Sequence, residues 1–307
     1  MPPRLSPTAV STFKECPQLF LFRNMWKLPE PPSAVLHKGI LVHSALEKVF
    51  EKRAQDRAAA LHDVLRDEWR RARVKPGASG TPLVDALFGT VDEERQWGNE
   101  CLRLLDNWLQ EEDPAAMPLG EPVANEAWLS ANIPTAGHSL DGKALPPLKM
   151  VGKVDRLDAL ADGVVIVDYK TGKAPKQYSP QMNAEIKHKN FFQLRCYALL
   201  IARGGLPTAV ASKANAKARM LATRLRLLYL AESCDGGGAT AIEEDLPPVS
   251  GKEYEEMLRE TEGEIVAAWA EMAALVEANE PANFEHCSRP FCQCHELRPL
   301  VFGTSDE

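Results

Sequence analysis

Two acids and a lysine lie close together between Met150 and Lys173: Asp155 in the run Val151 to Leu160, and Asp168 and Lys170 in the run Val164 to Lys170. Both runs are rich in β-branched residues, and Asp162-Gly163 between them suits a two-residue turn, because both positions tolerate positive φ. The spacing predicts a hairpin with Asp155 opposite Lys170 and Leu157 opposite Asp168. Side chains alternate along a strand, so Asp155, Asp168 and Lys170 share one face and Tyr169 points away. Asp155 and Asp168 are then diagonal neighbours, roughly 7–8 Å apart between backbones, a gap that a metal ion bridges through carboxylates.

These residue types suit metal-assisted phosphodiester cleavage. Paired carboxylates hold Mg²⁺ or Mn²⁺, hard cations that prefer oxygen. A bound metal polarises a phosphate and lowers the pKa of a water, and a neighbouring ammonium meets the developing negative charge. The plainer reading is a surface hairpin with a cross-strand Asp155–Lys170 ion pair.

Other residues could join such a site. His43 and Glu47 are four apart on a helical run and share a face, either as a surface pair or with His43 as a further metal ligand. Glu126 lies in a short strand-like run, either as a secondary acid near the site or, the simpler expectation, in a structural role. Gln193 and Tyr197 also share one helix face. The tail, residues 283–303, packs Cys287, Cys292, Cys294, His286 and His295 together, a density that signals metal binding.

Stepping outward, 307 residues with 45% hydrophobic content suffice for one large domain or two small ones. No apolar run is long enough to span a bilayer, and the first four residues do not lead into a signal-peptide core, so a cytoplasmic chain is expected. Seven cysteines in that setting argue for thiols or metal ligands rather than disulfides. Net charge is −7, yet Lys170 to Leu230 holds seven lysines and five arginines against one acid, Glu185. Positive charge concentrated directly after the acid pair predicts a phosphate-facing surface. No GK[ST] phosphate loop is present, so a coupled helicase would be a separate chain.

The positioning elements follow from pattern. Ser6-Pro7 caps a first helix, which Cys16-Pro17 interrupts. A second helix covers 36–54, and residues from about 55 to 120 read as a charged helical elaboration ending in a polar linker, 111–122. Glu126 to Ile133 is a strand, 189–203 an amphipathic helix, 221–230 a strand with two arginines on one face, and 252–279 a long helix.

In this order, Cys16-Pro17, Gly39-x3-His43, GKVDRLD around Asp155, VDYKTGK around Asp168 and Lys170, Gln193-x3-Tyr197 and a terminal cysteine cluster resemble the PD-(D/E)XK nuclease superfamily. The likeness is to its RecB-like exonuclease group, which includes the Cas4 and AddB nuclease domains. The resemblance implies one α/β domain over 1–307, a restriction-endonuclease-like mixed sheet flanked by helices, with the helical insertion at 55–120. It implies an Mg²⁺- or Mn²⁺-dependent DNA exonuclease of recombination, repair or phage DNA processing, working on single strands or free ends, with a separate helicase or recombinase as partner. Alternatives are a Cas4-like end-trimming factor of an integration complex and a metal-stapled DNA-binding module without turnover. By the same resemblance His43, Asp155, Asp168 and the carbonyl of Tyr169 are metal ligands, Lys170 is the catalytic lysine, and Gln193 and Tyr197 orient it and meet DNA. Cys16, Cys287, Cys292 and Cys294 then hold a [4Fe–4S] cluster that closes residues 281–303 onto the first helix. The late cysteines are spaced C-x4-C-x-C rather than the family's usual C-x2-C-x5-C, which leaves a zinc site with His286 or His295 as the alternative.

Overall fold

The computed structural model describes all residues except 78–79, 118–119, 136–138, 141, 177–179, 214–219, 233–237 and 304–307. Its centre is a five-stranded mixed sheet in the order β1-β4-β5-β6-β7. These strands are β1 (Ala124–Ile133), β4 (Leu148–Ala159), β5 (Val164–Lys170), β6 (Ala222–Tyr229) and β7 (Thr240–Asp245). A small ribbon, β2 (Ser139–Leu140) with β3 (Lys143–Ala144), lies outside it. Among the described strands of this sheet, β5 and β6 pair in parallel and the other neighbours pair antiparallel. The crossover between them is α7 (Pro180–Gly204) and the short α8 (Thr208–Lys213).

Both sheet faces are covered, which is why β5 is buried along nearly its whole length. Val164 and Ile166 face α1 (Pro7–Glu15), α2 (Pro17–Phe20), α7 and α9 (Lys252–Ala278). Val165, Val167 and Tyr169 face α3 (Ala34–Val49), α4 (Arg57–Arg73) and α6 (Val91–Glu111). Two further α-helices among the described residues are α5 (Leu83–Leu87) and α10 (Cys294–Phe302). The helical stretch at 55–120 therefore helps build the smaller of the two core clusters, through Leu61, Leu65, Trp97, Leu105 and Trp108. Its long helix α6 starts from a capping box, Thr90 with Glu93. Ser6 caps α1 as expected, its hydroxyl accepting from the Ala9 N–H at 3.1 Å. No described helix is long and apolar enough to cross a membrane.

The hairpin differs from expectation by two positions. Arg156 pairs with Val167 and Ala159 with Val164, and the Leu160 N–H donates to the Gly163 carbonyl at 2.8 Å. The turn residues are thus Ala161 and Asp162. Gly163 is needed for a different reason: a Cβ there would stand 2.5 Å from the Leu221 carbonyl of the strand alongside. A shift of two keeps every side chain on its face, and the pairing ends at Arg156–Val167, one residue short of Asp155 and Asp168, so Asp155 is not opposite Lys170.

Beyond Arg156 the sheet forks. The first half of β4 leaves β5, and Leu5 takes the empty edge, bonding the Lys149 carbonyl and the Val151 N–H at 2.9 Å each. Glu126 sits across from Asp155 with a left-handed φ of 54°, the one position that the β1–β4 ladder skips.

Arg156 locks the helical layer to the hairpin. It is 1% exposed and donates to both oxygens of Glu112, to the Tyr169 hydroxyl and to Asp158, at 2.7–3.1 Å. The Trp108 indole N–H adds a 2.7 Å bond to Glu112. Glu112 belongs to the stretch expected as a polar linker, yet it is buried because Arg156 awaits it. Replacing Arg156 by Met strips buried Asp158 of its cation and leaves buried Glu112 with only Arg226, 3.4 Å away. Urea unfolding is expected to show a loss of about 3–5 kcal/mol, and a loss below about 1 kcal/mol contradicts this role.

Candidate active site

The fork brings the chemistry together. Leu41, Val42, Ala45, Leu46 and Val49 pin α3 against the helical layer, and this leaves His43 and Glu47 turned toward the end of the hairpin. His43 Nδ1 lies 3.3 Å from Asp155 Oδ2, and its ring meets Tyr169 edge-on with centroids 6.0 Å apart. Asp155 Oδ2 also accepts the Tyr169 N–H at 2.9 Å. Burial opposes the imidazolium of His43, but the carboxylates of Asp155, Asp168 and Glu126 outweigh it and hold its pKa above the ordinary value. The ligand atoms of His43, Glu126 and Asp155 all lie within 4.8 Å of one another.

Asp168 is 3% exposed. Burial raises its pKa to about 6, with Asp155 pushing the same way and the Lys170 ammonium pulling against both. Lys170 Nζ stands 2.7 Å from Asp168 Oδ2, although no donor is aligned for a hydrogen bond to that oxygen. Lys170 also donates to Gln193 Oε1 at 3.2 Å, Gln193 to the Tyr197 hydroxyl at 2.8 Å, and Tyr197 to the Lys153 carbonyl at 2.9 Å. Gly152 makes room for this relay, since a Cβ there would meet the Tyr197 ring at 2.5 Å.

The structure thus gathers His43, Asp155, Asp168, Tyr169, Lys170, Gln193 and Tyr197 at one end of the sheet. Within it Asp168 turns to Lys170, while His43 and Asp155 converge with Glu126. Glu126 lies nearer the site than its expected structural role suggests. Its signal was positional: it is the acid directly across β4 from Asp155. Lys153 pairs with it, and Glu47, one turn beyond His43, has a pKa raised by burial and then by Glu126. One imidazole and two carboxylates at this spacing fit a hard divalent ion, while Asp168 lies outside that group of three, its Oδ2 2.7 Å from the Lys170 ammonium.

The basic segment behaves otherwise than its composition suggests. Arg195 pairs with Glu244, Arg203 with Glu255 and Glu262, Arg224 with Asp245, and Arg226 with Glu243 and Glu111. Lys187 and Lys189 meet Glu244 and Glu15. Charge segregated along the chain is neutralised in space, largely by the acidic strand β7. In the loop after β5, Lys173 and Lys176 have no acidic partner among the described residues; Gln177 and the glycine-rich stretch near 235 lie outside them.

At the other end of α1 the sulfurs of Cys16, Cys287, Cys292 and Cys294 lie within 4.8 Å of one another. The backbone ties the two termini there, with the Gln18 N–H donating to the Glu285 carbonyl at 3.1 Å. Desolvation works against a thiolate at Cys287, but the Arg289 guanidinium, 3.5 Å from the sulfur, brings its pKa down to about 6. His295 bonds the Arg289 carbonyl and His286 lies 2.9 Å from Arg298, so neither belongs to the group of four. Four sulfurs held this close match a tetrathiolate metal site.

No curated protein sequence matches the chain. A solved structure described as the crystal structure of SSO0001 aligns with 89% of this chain and 76% of its own, at 13% identity and a TM-score of 0.34, too loose a likeness to bear on function. A family model described as the PD-(D/E)XK nuclease superfamily matches residues 4–297, a span that includes the forked hairpin with its acids and lysine as well as the four cysteines, and the chain belongs to that superfamily.

Proposed function

We propose that this chain is an Mg²⁺- or Mn²⁺-dependent DNA exonuclease of the RecB-like group. The observation that carries the reading is the convergence of His43, Glu126 and Asp155 beside the Asp168–Lys170 pair. His43, Asp155 and Asp168, with the Tyr169 carbonyl and now Glu126, would hold the divalent ion. When bound, that ion polarises the scissile phosphate and acidifies a water.

The chain's own residues supply the rest. Lys170 is fixed between Asp168 and Gln193, so its ammonium is positioned before substrate arrives to meet charge that builds up on the phosphate. Tyr197 holds Gln193, and through its bond to the Lys153 carbonyl it ties this relay to β4, the strand that carries Asp155. Arg156 holds the Tyr169 ring from behind, which fixes the backbone between Asp168 and Lys170. The ordered motifs support the exonuclease type and its place in recombination, repair or phage DNA processing, with a helicase or recombinase as a separate chain.

For the four cysteines we infer a [4Fe–4S] cluster that clasps the chain ends. The absence of both histidines from the group of four favours it over a mixed zinc site.

Two outcomes follow. Asp168→Ala and Lys170→Ala should each lower Mn²⁺-dependent cleavage of end-labelled DNA at least about a hundredfold while circular dichroism stays native; wild-type cleavage by either variant ends the nuclease reading. Protein purified without air should be brown and hold about four iron atoms per chain, lost on Cys16→Ala. A colourless protein with one zinc per chain contradicts the cluster.

A further inference from the structure

Beside the lysine relay opens a cleft of about 620 Å³, bounded by residues at the chain's start, by Arg23 to Lys27 and by the half of β4 that has left β5. Gln193 and Tyr197 form part of its wall, so it is continuous with the candidate active site. The Trp128 indole from β1 lines it and is 60% exposed. The indole presents a flat apolar face with a polar N–H to a cleft lined mostly by polar and charged groups.

Cations surround it. Arg4 and Lys27 line the cleft, are exposed, and have no acidic partner among the described residues. Lys153 and Arg23 line it too, paired with Glu126 and Glu30. The Arg23 Nε is buried without an acceptor. Lys27 has a left-handed φ of 53°, held by the Trp26 and Leu28 N–H groups bonding back into the preceding turn at 2.9 Å. Lys27 is the residue just past the C-cap of the helical turn Leu21–Met25, so this helix ending fixes the backbone that presents its ammonium at the cleft wall.

We propose that this cleft binds a single-stranded segment of DNA, with one unpaired base stacked on Trp128 and the adjoining phosphates held by Arg4 and Lys27. The choice of DNA rests on the nuclease reading above. The choice of a single strand rests on the indole: a duplex hides its base faces in its own stack, so only an unpaired base can cover Trp128, and a cationic groove with an aromatic platform is the arrangement that binds single strands without reading sequence. The strand then runs from the cleft past Tyr197 and Gln193 to Lys170.

The test is binding of short fluorescein-labelled oligo(dT) to the full chain carrying Asp168→Ala, in EDTA, so that cleavage cannot intervene. Adding Trp128→Ala should weaken binding about tenfold, and Trp128→Phe should restore most of it. Arg4→Ala with Lys27→Ala should weaken binding and flatten its dependence on salt. A blunt-ended duplex hairpin should bind Trp128→Ala and Trp128 proteins alike. Unchanged oligo(dT) affinity in Trp128→Ala, an equal loss on the duplex, or tighter binding of oligo(U) than of oligo(dT) would each overturn the proposal. A wild-type chain that binds oligo(dT) through Trp128 yet cleaves nothing with Mn²⁺ would sink the nuclease reading and leave the cleft standing.

Discussion

Repulsion among carboxylates at the fork of the central sheet is the constraint on which the rest of the structure depends. The ligand atoms of Glu126 and Asp155 come within 4.8 Å, and Asp168 lies buried beside them. At that separation two anions repel by roughly 3 kcal/mol at an effective dielectric constant of 20. His43 and Lys170 each offset part of this: the carboxylates bias the imidazole toward its charged form, while burial first and Asp155 second bias Asp168 toward its neutral one. A folded chain tolerates such a site only when its surroundings over-determine it, as they do here.

Those surroundings act from three sides. The Arg156–Glu112–Tyr169 network behind the hairpin couples the helical layer to the backbone that carries Asp168. The Lys170–Gln193–Tyr197 relay in front couples the same strand to α7 and, through Lys153, to β4. Leu5 occupies the edge of β4 left bare by the fork. The four cysteines gather where the tail meets the end of the helix that follows Leu5, and the Gln18–Glu285 backbone bond ties the two there, so this cluster bears on the segment that keeps the fork open.

Much of this was legible in the sequence, for identifiable reasons. Strands β4 and β5 showed in their β-branched runs, and the shared face of Asp155 and Asp168 survived a register error because the error was an even number of residues. The turn was misplaced because Gly163 advertised positive φ while its real use is close approach to β6, a tertiary fact. Strand β7 was missed because Glu243, Glu244 and Asp245 lack β-propensity; their pairing with arginines across the sheet is what makes a strand there stable. The same pairs explain why the basic segment misled: composition along the chain records nothing of what faces it in space. Glu126 and Glu112 stood outside any recognisable motif, and only the fold reveals the partners that draw them inward.

The central claim is that these clustered acids are held for a divalent cation. Manganese binding, followed by the loss of the free-ion electron paramagnetic resonance signal with no DNA present, tests it most directly. The account predicts that the wild-type chain takes up Mn²⁺ and that a chain with both Glu126→Gln and Asp155→Asn takes up little at the same concentration. Equal uptake by the two proteins would contradict it.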